Sequence, residues 1–161
     1  MAYSTLQRSL TGCDIVYLEV SSYNVSTSVG DAVVFTGATD LVGSSASGYS
    51  FSSGVITLPV NYWYWVKGTP QVRFSAYSGY AKYQWKTSAG TALGRRGTLI
   101  TQETAQLFGG DEIACCLIDA TSAAQDIKLV YDTLVSVTNT SNNLYPSYAG
   151  MTRAEIWRLT P

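Results

Sequence analysis

The chain has 161 residues, a net charge of −1 and 13% charged residues, which predicts one domain with a mostly neutral, polar surface. Arg95 and Arg96 form the one adjacent basic pair, so the sequence predicts no nucleic-acid binding. It contains no histidine, which removes the commonest general base and the commonest metal ligand.

The first residues, 1–12, are polar and precede the first candidate strand. They contain no apolar segment typical of a secretory signal, and no run of roughly eighteen apolar residues follows. We therefore expect synthesis in the cytoplasm and no membrane association. We predict an N-terminal arm over 1–12 and a single β domain over 13–161.

Short runs of β-branched and aromatic residues recur between Gly, Ser, Asn and Pro clusters, with almost no helical periodicity. This pattern predicts an all-β sandwich or barrel of about eight to ten strands. The candidate strands are Asp14–Val20, Ala32–Thr36, Tyr49–Phe51, Val55–Leu58, Tyr62–Lys67, Gln71–Phe74, Ala81–Thr87, Arg96–Thr101, Glu112–Asp119, Ile127–Val137 and Ala154–Leu159.

Two candidate strands alternate apolar and polar side chains. Over 81–87, Tyr83 and Trp85 alternate with lysine and glutamine, and 127–132 repeats the alternation. Alternation of this kind predicts strands with one face on the core and the other in water. We expect both strands in one outer sheet.

Three other candidate strands, 62–67, 113–118 and 154–159, are apolar on both faces. A two-layer sandwich covers each sheet only once, so something else must cover the second face. At about 25 cal/mol per Å², leaving two or three aromatic side chains exposed would lose several kcal/mol of the stabilisation that their burial gives. We expect another copy of the chain to cover this face; a closed barrel or covering loops are the alternatives.

The three cysteines cannot all pair within one chain. Cys115 and Cys116 are adjacent in an apolar run, where a strand directs them to opposite faces. We predict that they are small buried apolar residues. The alternative is a disulfide from Cys13 to Cys115 or Cys116.

Several motifs share the order and spacing of a known family. Ile56–Pro59 precedes the aromatic strand, Gly109–Ile113 opens the next buried strand, and Asn143–Gly150 leads into the last one. Over about residues 49–160 the chain resembles the tumour-necrosis-factor-like jelly roll shared with complement globular heads. Asn61 stands where that family usually has glycine, and asparagine tolerates the positive φ of such a turn.

The resemblance implies a two-sheet antiparallel jelly roll that assembles as a homotrimer, with the inner sheets around a threefold axis. The doubly apolar strands would then form the contact between copies. The predicted trimer-interface residues are Tyr62, Trp63, Tyr64, Trp65, Cys116, Ile118, Ile156 and Trp157. The sequence leaves open which side chains face the threefold axis. They are either Tyr62 and Tyr64 with Trp157, or Trp63 with Trp65.

A histidine-free jelly roll rich in Ser, Thr, Gly and Tyr looks like a structural protein of a tailed bacteriophage. This likeness implies a trimeric decoration protein on the capsid exterior of the virion, with the major capsid protein as its partner. The residues of the arm expected to contact the shell are Tyr3, Leu6, Arg8 and Leu10. The alternative for this segment is a frayed terminus.

The alternative function is a receptor- or glycan-binding head of a phage fibre or another adhesion protein. A surface glycan would then stack on loop aromatics, either Tyr77 with Tyr80 or Tyr145 with Tyr148. No long stalk repeat occurs in the sequence, which favours decoration.

We predict no catalytic site, no cofactor and no metal site. The sequence offers three carboxylates that could act as a catalytic acid and base: Asp111, Glu112 and Glu103. However, adjacent residues of a strand, such as Asp111 and Glu112, point to opposite faces. The carboxylates that could bind a cation are spread along strands without a ligand-dense loop: Asp119, Asp126 and Asp132.

Overall fold

The computed structural model describes residues 14–19, 28–35, 37–42, 48–74, 79–100, 107–109, 112–140 and 153–159. These ranges contain thirteen strands and no helix, so none of their segments is a candidate membrane-spanning helix. The strands are β1 (Asp14–Glu19), β2 (Gly37–Val42), β3 (Ser50–Ser52), β4 (Val55–Leu58), β5 (Tyr62–Thr69), β6 (Gln71–Phe74), β7 (Tyr80–Thr87), β8 (Ala92–Ile100), β9 (Leu107–Gly109), β10 (Ala114–Ala120), β11 (Gln125–Val135), β12 (Val137–Thr140) and β13 (Arg153–Leu159). The all-β prediction is confirmed.

Ten of these strands form one sheet in the order β2-β1-β13-β5-β10-β8-β7-β11-β4-β3, and its strand pairs are antiparallel. A smaller sheet has the order β12-β6-β9. We call β2, β1, β13, β5 and β10 the β5 half, and β8, β7, β11, β4 and β3 the β7 half. The doubly apolar strands β13, β5 and β10 are neighbours, and so are β7 and β11, which confirms the two predicted groupings.

The predicted separation into two sheets is wrong in one respect, because β8 joins the two halves. It pairs with β7 along most of its length and with β10 through Arg95 and Cys115. At this corner Gly94 has a φ of 58°, and a side chain there would overlap the carbonyl oxygen of Cys115. Glycine lets the backbone turn and lets β8 approach β10 closely.

The two halves pack face to face, as the layers of a β-sandwich do. The indole of Trp85 on β7 stacks on Phe35 with ring centroids 6.5 Å apart, and its Nε1 donates to the Ala114 carbonyl oxygen at 3.2 Å. The hydroxyl of Tyr83, also on β7, donates to the Glu112 carbonyl oxygen. These contacts place the core between the β7 half and the β5 half.

Tertiary contacts change two of the predicted elements. Ala32–Thr36 was predicted as a strand, but Ala32 makes an isolated bridge with Val130, and Val33 and Phe35 are buried in the core. The predicted strand Ile127–Val137 is divided at Ser136, where φ is 54°.

Two strands, β2 and β9, escaped prediction entirely, and β12 was predicted only at Val137. The Gly and Asp of β2 have low strand propensity, and β9 has only three residues. The turn before β5 confirms its prediction: Asn61 has a φ of 82°, and its backbone N donates to the Ala120 carbonyl oxygen at 2.9 Å.

Candidate functional site

The aromatic strand β5 presents its two faces to different surroundings. Tyr64 and Val66 are fully buried, whereas Trp63 is half-buried and Trp65 is 39% exposed. Because successive side chains of a strand alternate, the tyrosine set faces the core and the tryptophan set faces outward. The outward set is therefore Trp63 and Trp65 with Lys67.

Four of the predicted interface residues lie instead in the core of their own chain. Tyr64, Cys116, Ile118 and Ile156 are at most 5% exposed, so they have almost no surface left for a second chain. They belong to the face of β5, β10 and β13 that meets the β7 half. We remove them from the predicted interface, because a side chain already surrounded by its own fold contributes nothing on association.

Tyr64 shows how complete this burial is. Its hydroxyl donates to the Pro59 carbonyl oxygen at 2.9 Å, and its ring makes edge contacts with Tyr49 and Tyr62 at 6.0 and 6.2 Å between centroids. Burial raises the pKa of Tyr64 to about 12. Tyr62 shares this inward parity at the end of the strand, where the guanidinium of Arg158 lies 4.6 Å from its ring centroid.

On the outward side an apolar row crosses three strands. Leu117 of β10 pairs with Trp65 of β5, and Trp65 pairs with Trp157 of β13. Side chains directly opposite on one face of a sheet lie about 5 Å apart and form one surface. Leu117 is 54% exposed, Trp65 is 39% exposed and Trp157 is half-buried.

The next row of the same face pairs Trp63 with Leu159. We call this surface the Trp65 face; its apolar side chains are Trp63, Trp65, Leu117, Trp157 and Leu159. Sequence reasoning missed Leu117 and Leu159. Lys67 could have indicated which face is outward, because it shares the parity of Trp63 and Trp65 and a lysine is almost never fully buried without a partner.

Charged residues border the Trp65 face at both ends. Lys67 Nζ lies 2.8 Å from Glu155 Oε2 and 5.6 Å from the ring centroid of Trp157. Trp157 Nε1 donates to the same Glu155 oxygen at 3.3 Å, so the ion pair holds the indole in place. At the other end, Asp119 accepts from the backbone N and the hydroxyl of Thr121, and both bonds lower the pKa of its carboxyl.

The two described cysteines are free thiols, so neither forms the alternative disulfide. Cys116 is 3% exposed, as predicted for a small buried apolar residue, while Cys115 is half-buried on the outward side. Burial, with a smaller contribution from Cys115, raises the pKa of the Cys116 thiol to about 12. Cys13 lies outside the described residues.

The carboxylates considered for chemistry are engaged separately. Glu112 Oε1 lies 3.3 Å from Arg95 Nη2, and Asp126 accepts from the hydroxyl of Thr57 at 2.7 Å. Asp132 lies 2.6 Å from Lys86 Nζ and 3.2 Å from Arg96 Nε. Within the described ranges no three Cys, Asp or Glu side chains are grouped as a metal would require.

Several predicted site residues lie outside the described residues. They are Tyr3, Leu6, Arg8, Leu10, Tyr77, Glu103, Asp111, Tyr145 and Tyr148. Of the glycan candidates, the structure describes Tyr80, which lines a groove on the β7 half with Lys82, Thr98 and Ile100.

No protein-family model and no curated protein matches the sequence. Among solved structures, the globular domain of zebrafish complement 1qA protein is similar, with a TM-score of 0.45 and 6% sequence identity. The match covers 89% of this chain and 93% of that chain. The neighbour is a complement globular head, the kind of fold that the sequence motifs resemble. A likeness at this distance says nothing about partners or activity.

Proposed function

We propose that the protein is a structural protein that assembles as a homotrimer through the Trp65 face and decorates the capsid of a tailed bacteriophage. The observation that carries the proposal is the row of Leu117, Trp65 and Trp157, which is apolar across three neighbouring strands and partly exposed. Single exposed apolar residues are ordinary on protein surfaces, whereas a contiguous patch is typical of an interface.

The exposed area supports association in magnitude. An aromatic side chain has a surface of roughly 150–250 Å². At about 25 cal/mol per Å², its complete burial in an interface stabilises the complex by roughly 4–6 kcal/mol. Trp65 is 39% exposed, so burial of this exposed part stabilises the assembly by roughly 2 kcal/mol per copy. Leu117, 54% exposed, adds about 1 kcal/mol. A closed ring repeats each contact around its axis.

The charges around the face favour a second copy as the occupant. Arg153 lies beside Lys67 and Glu155 at one end of the face. Lys67 and Arg153 supply two positive charges, and Glu155 and Asp119 supply two negative charges, so these four residues sum to zero. Two copies of such a surface meet without a net like-charge penalty. The apolar centre with a charged border also matches the usual anatomy of an interface between proteins.

The capsid role rests on the sequence resemblance and on symmetry. A trimer on a threefold or quasi-threefold position makes the same contact three times, and linked contacts multiply their individual affinities. The partner is then the major capsid protein, and the arm over 1–12 is the segment proposed to contact it. The protein is made in the host cytoplasm and resides on the virion exterior.

The assembly is tested by light scattering on the full chain and two matched variants. Leu117→Asp places a charge in the Trp65 face, and Ile100→Asp places one at a comparably exposed aliphatic residue of the β7 half, 58% against 54%. We expect three times the chain mass of 17.4 kDa for the parent and for Ile100→Asp, and the single-chain mass for Leu117→Asp. A monomeric parent at high concentration, or a Leu117→Asp variant that keeps the parent mass, overturns the interface.

The capsid role has its own test. Density-gradient fractions of a lysate from phage-producing cells are probed with an antibody against the chain. Comigration with intact shells, lost in a variant without residues 1–12 that still has the trimer mass, is the expected result. If the chain is recovered only in the soluble fractions, the virion assignment is wrong, whereas the proposed trimer is unaffected.

A further inference from the structure

A groove lies on the β7 half, away from the Trp65 face. Tyr80 and Lys82 of β7 stand opposite Ile100 and Thr98 of β8, and these four side chains line a shallow groove of about 250 Å³ that is open to solvent. Buried Ala81 and Tyr83 alternate with the groove residues of β7, so the groove is on the outer surface of the half. This volume lies just below the roughly 300–1,000 Å³ of most small-molecule sites, so the groove suits a small ligand.

Lys82 is the charged group of this groove. Its ammonium lies 5.5 Å from the ring centroid of Tyr80. Ion pairs between described residues engage Lys67, Lys86, Arg95 and Arg96, but none of them engages Lys82. The aromatic ring positions the ammonium, and among the described residues no carboxylate competes with an anion for it.

The other groove residues restrict the anion to one with an apolar side and hydroxyl groups. Ile100 is 58% exposed beside the groove, and the Thr98 hydroxyl both donates and accepts hydrogen bonds. A peptide that adds a strand is disfavoured, because β7 already pairs with β8 on one side and β11 on the other.

We infer that the groove binds an acidic sugar. The carboxylate pairs with Lys82, a ring hydroxyl bonds Thr98, and the C–H face of the ring packs on Ile100. Tyr80 is a positioning residue, since Lys82 occupies a face of its ring. This assignment differs from the stacking role that the sequence predicted for Tyr80, and it goes beyond the proposed assembly without depending on it.

Calorimetric titration of the full chain tests the site. The probes are N-acetylneuraminic acid and glucuronic acid, with galactose and glucose as neutral controls. We expect the acidic sugars to bind and the neutral ones to bind at least about tenfold more weakly, because the charged contact is lost. Equal binding of neutral and acidic sugars, or no binding of either acid, overturns the inference.

Variants assign the contact to its residues. Lys82→Ala is expected to lose at least about tenfold in affinity for the acids, whereas Lys128→Ala, a lysine of the neighbouring strand β11, keeps the parent affinity. Thr98→Val loses less than Lys82→Ala, and Tyr80→Phe retains binding because the ring is kept. A Lys82→Ala variant with the parent's melting temperature and undiminished affinity refutes the site. Leu117→Asp should bind the sugars as the parent does, so a failure of the trimer and a failure of this site are distinguishable.

Discussion

The indole of Trp85 on β7 lies directly on the backbone of Gly68 on β5. A Cβ at Gly68 would come 2.8 Å from Trp85 Cζ2 and 3.2 Å from Leu129 Cδ2. The same indole donates to the Ala114 carbonyl oxygen of β10 at 3.2 Å. One side chain of the β7 half therefore contacts two strands of the β5 half, and the glycine sets how closely the halves approach.

This contact predicts that Gly68→Ala destabilises the fold by about 1–3 kcal/mol, because the added methyl group overpacks a filled core. The measurement is the free energy of unfolding from urea titration. In the double variant with Trp85→Phe the smaller ring makes room, so the combined cost should be less than the sum of the single costs. Strict additivity of the two changes would contradict the direct contact.

The parity of β5 separates a core position from a surface position on the same strand. Tyr64→Ser should cost about 3–5 kcal/mol of unfolding free energy, since it opens a cavity in the core. Trp63→Ser and Trp65→Ser should lower the mass in light scattering while the chain still unfolds cooperatively. If Trp65→Ser keeps the parent mass and Tyr64→Ser keeps the parent stability, the two faces have been exchanged.

The buried thiol and phenol predict loss of stability in alkali. Burial raises the pKa of Cys116 from 9.0 to about 12 and that of Tyr64 from 10.0 to about 12. Both groups stay protonated in the folded chain while the unfolded chain releases their protons. Their contribution is therefore complete below pH 9 and declines as the pH rises toward 12, by at most about 1.4 kcal/mol per pH unit for each group.

The urea midpoint measured from pH 7 to 11 checks this decline. Cys116→Ala should be less stable than the parent at pH 8 but fall less steeply between pH 9 and 10, where the decline due to Tyr64 is smaller than it is above pH 10. An identical slope for the parent and Cys116→Ala would show that the thiol ionises alike in the folded and unfolded chain.

Local alternation was enough to predict much of the fold. Tyr83 and Trp85 alternate with polar residues, which identified β7 as a strand with one buried face, and both side chains are fully buried. The doubly apolar runs over 62–67, 113–118 and 154–159 were grouped correctly, because a strand without a polar face must lie where both of its sides are covered or available for cover.

Only the tertiary structure decided which face of those strands is inward. In the run Tyr-Trp-Tyr-Trp both parities are aromatic, so hydrophobic patterning favours neither. The inward face is the one on which Trp85, a residue of another strand, packs against Gly68, and Gly68 shares the parity of Tyr64. The link that β8 makes between the halves at Gly94 likewise depends on the close approach of β10, a strand distant in sequence. Periodicity along one strand determines that two faces exist, and packing against a distant strand determines which of them is left outside.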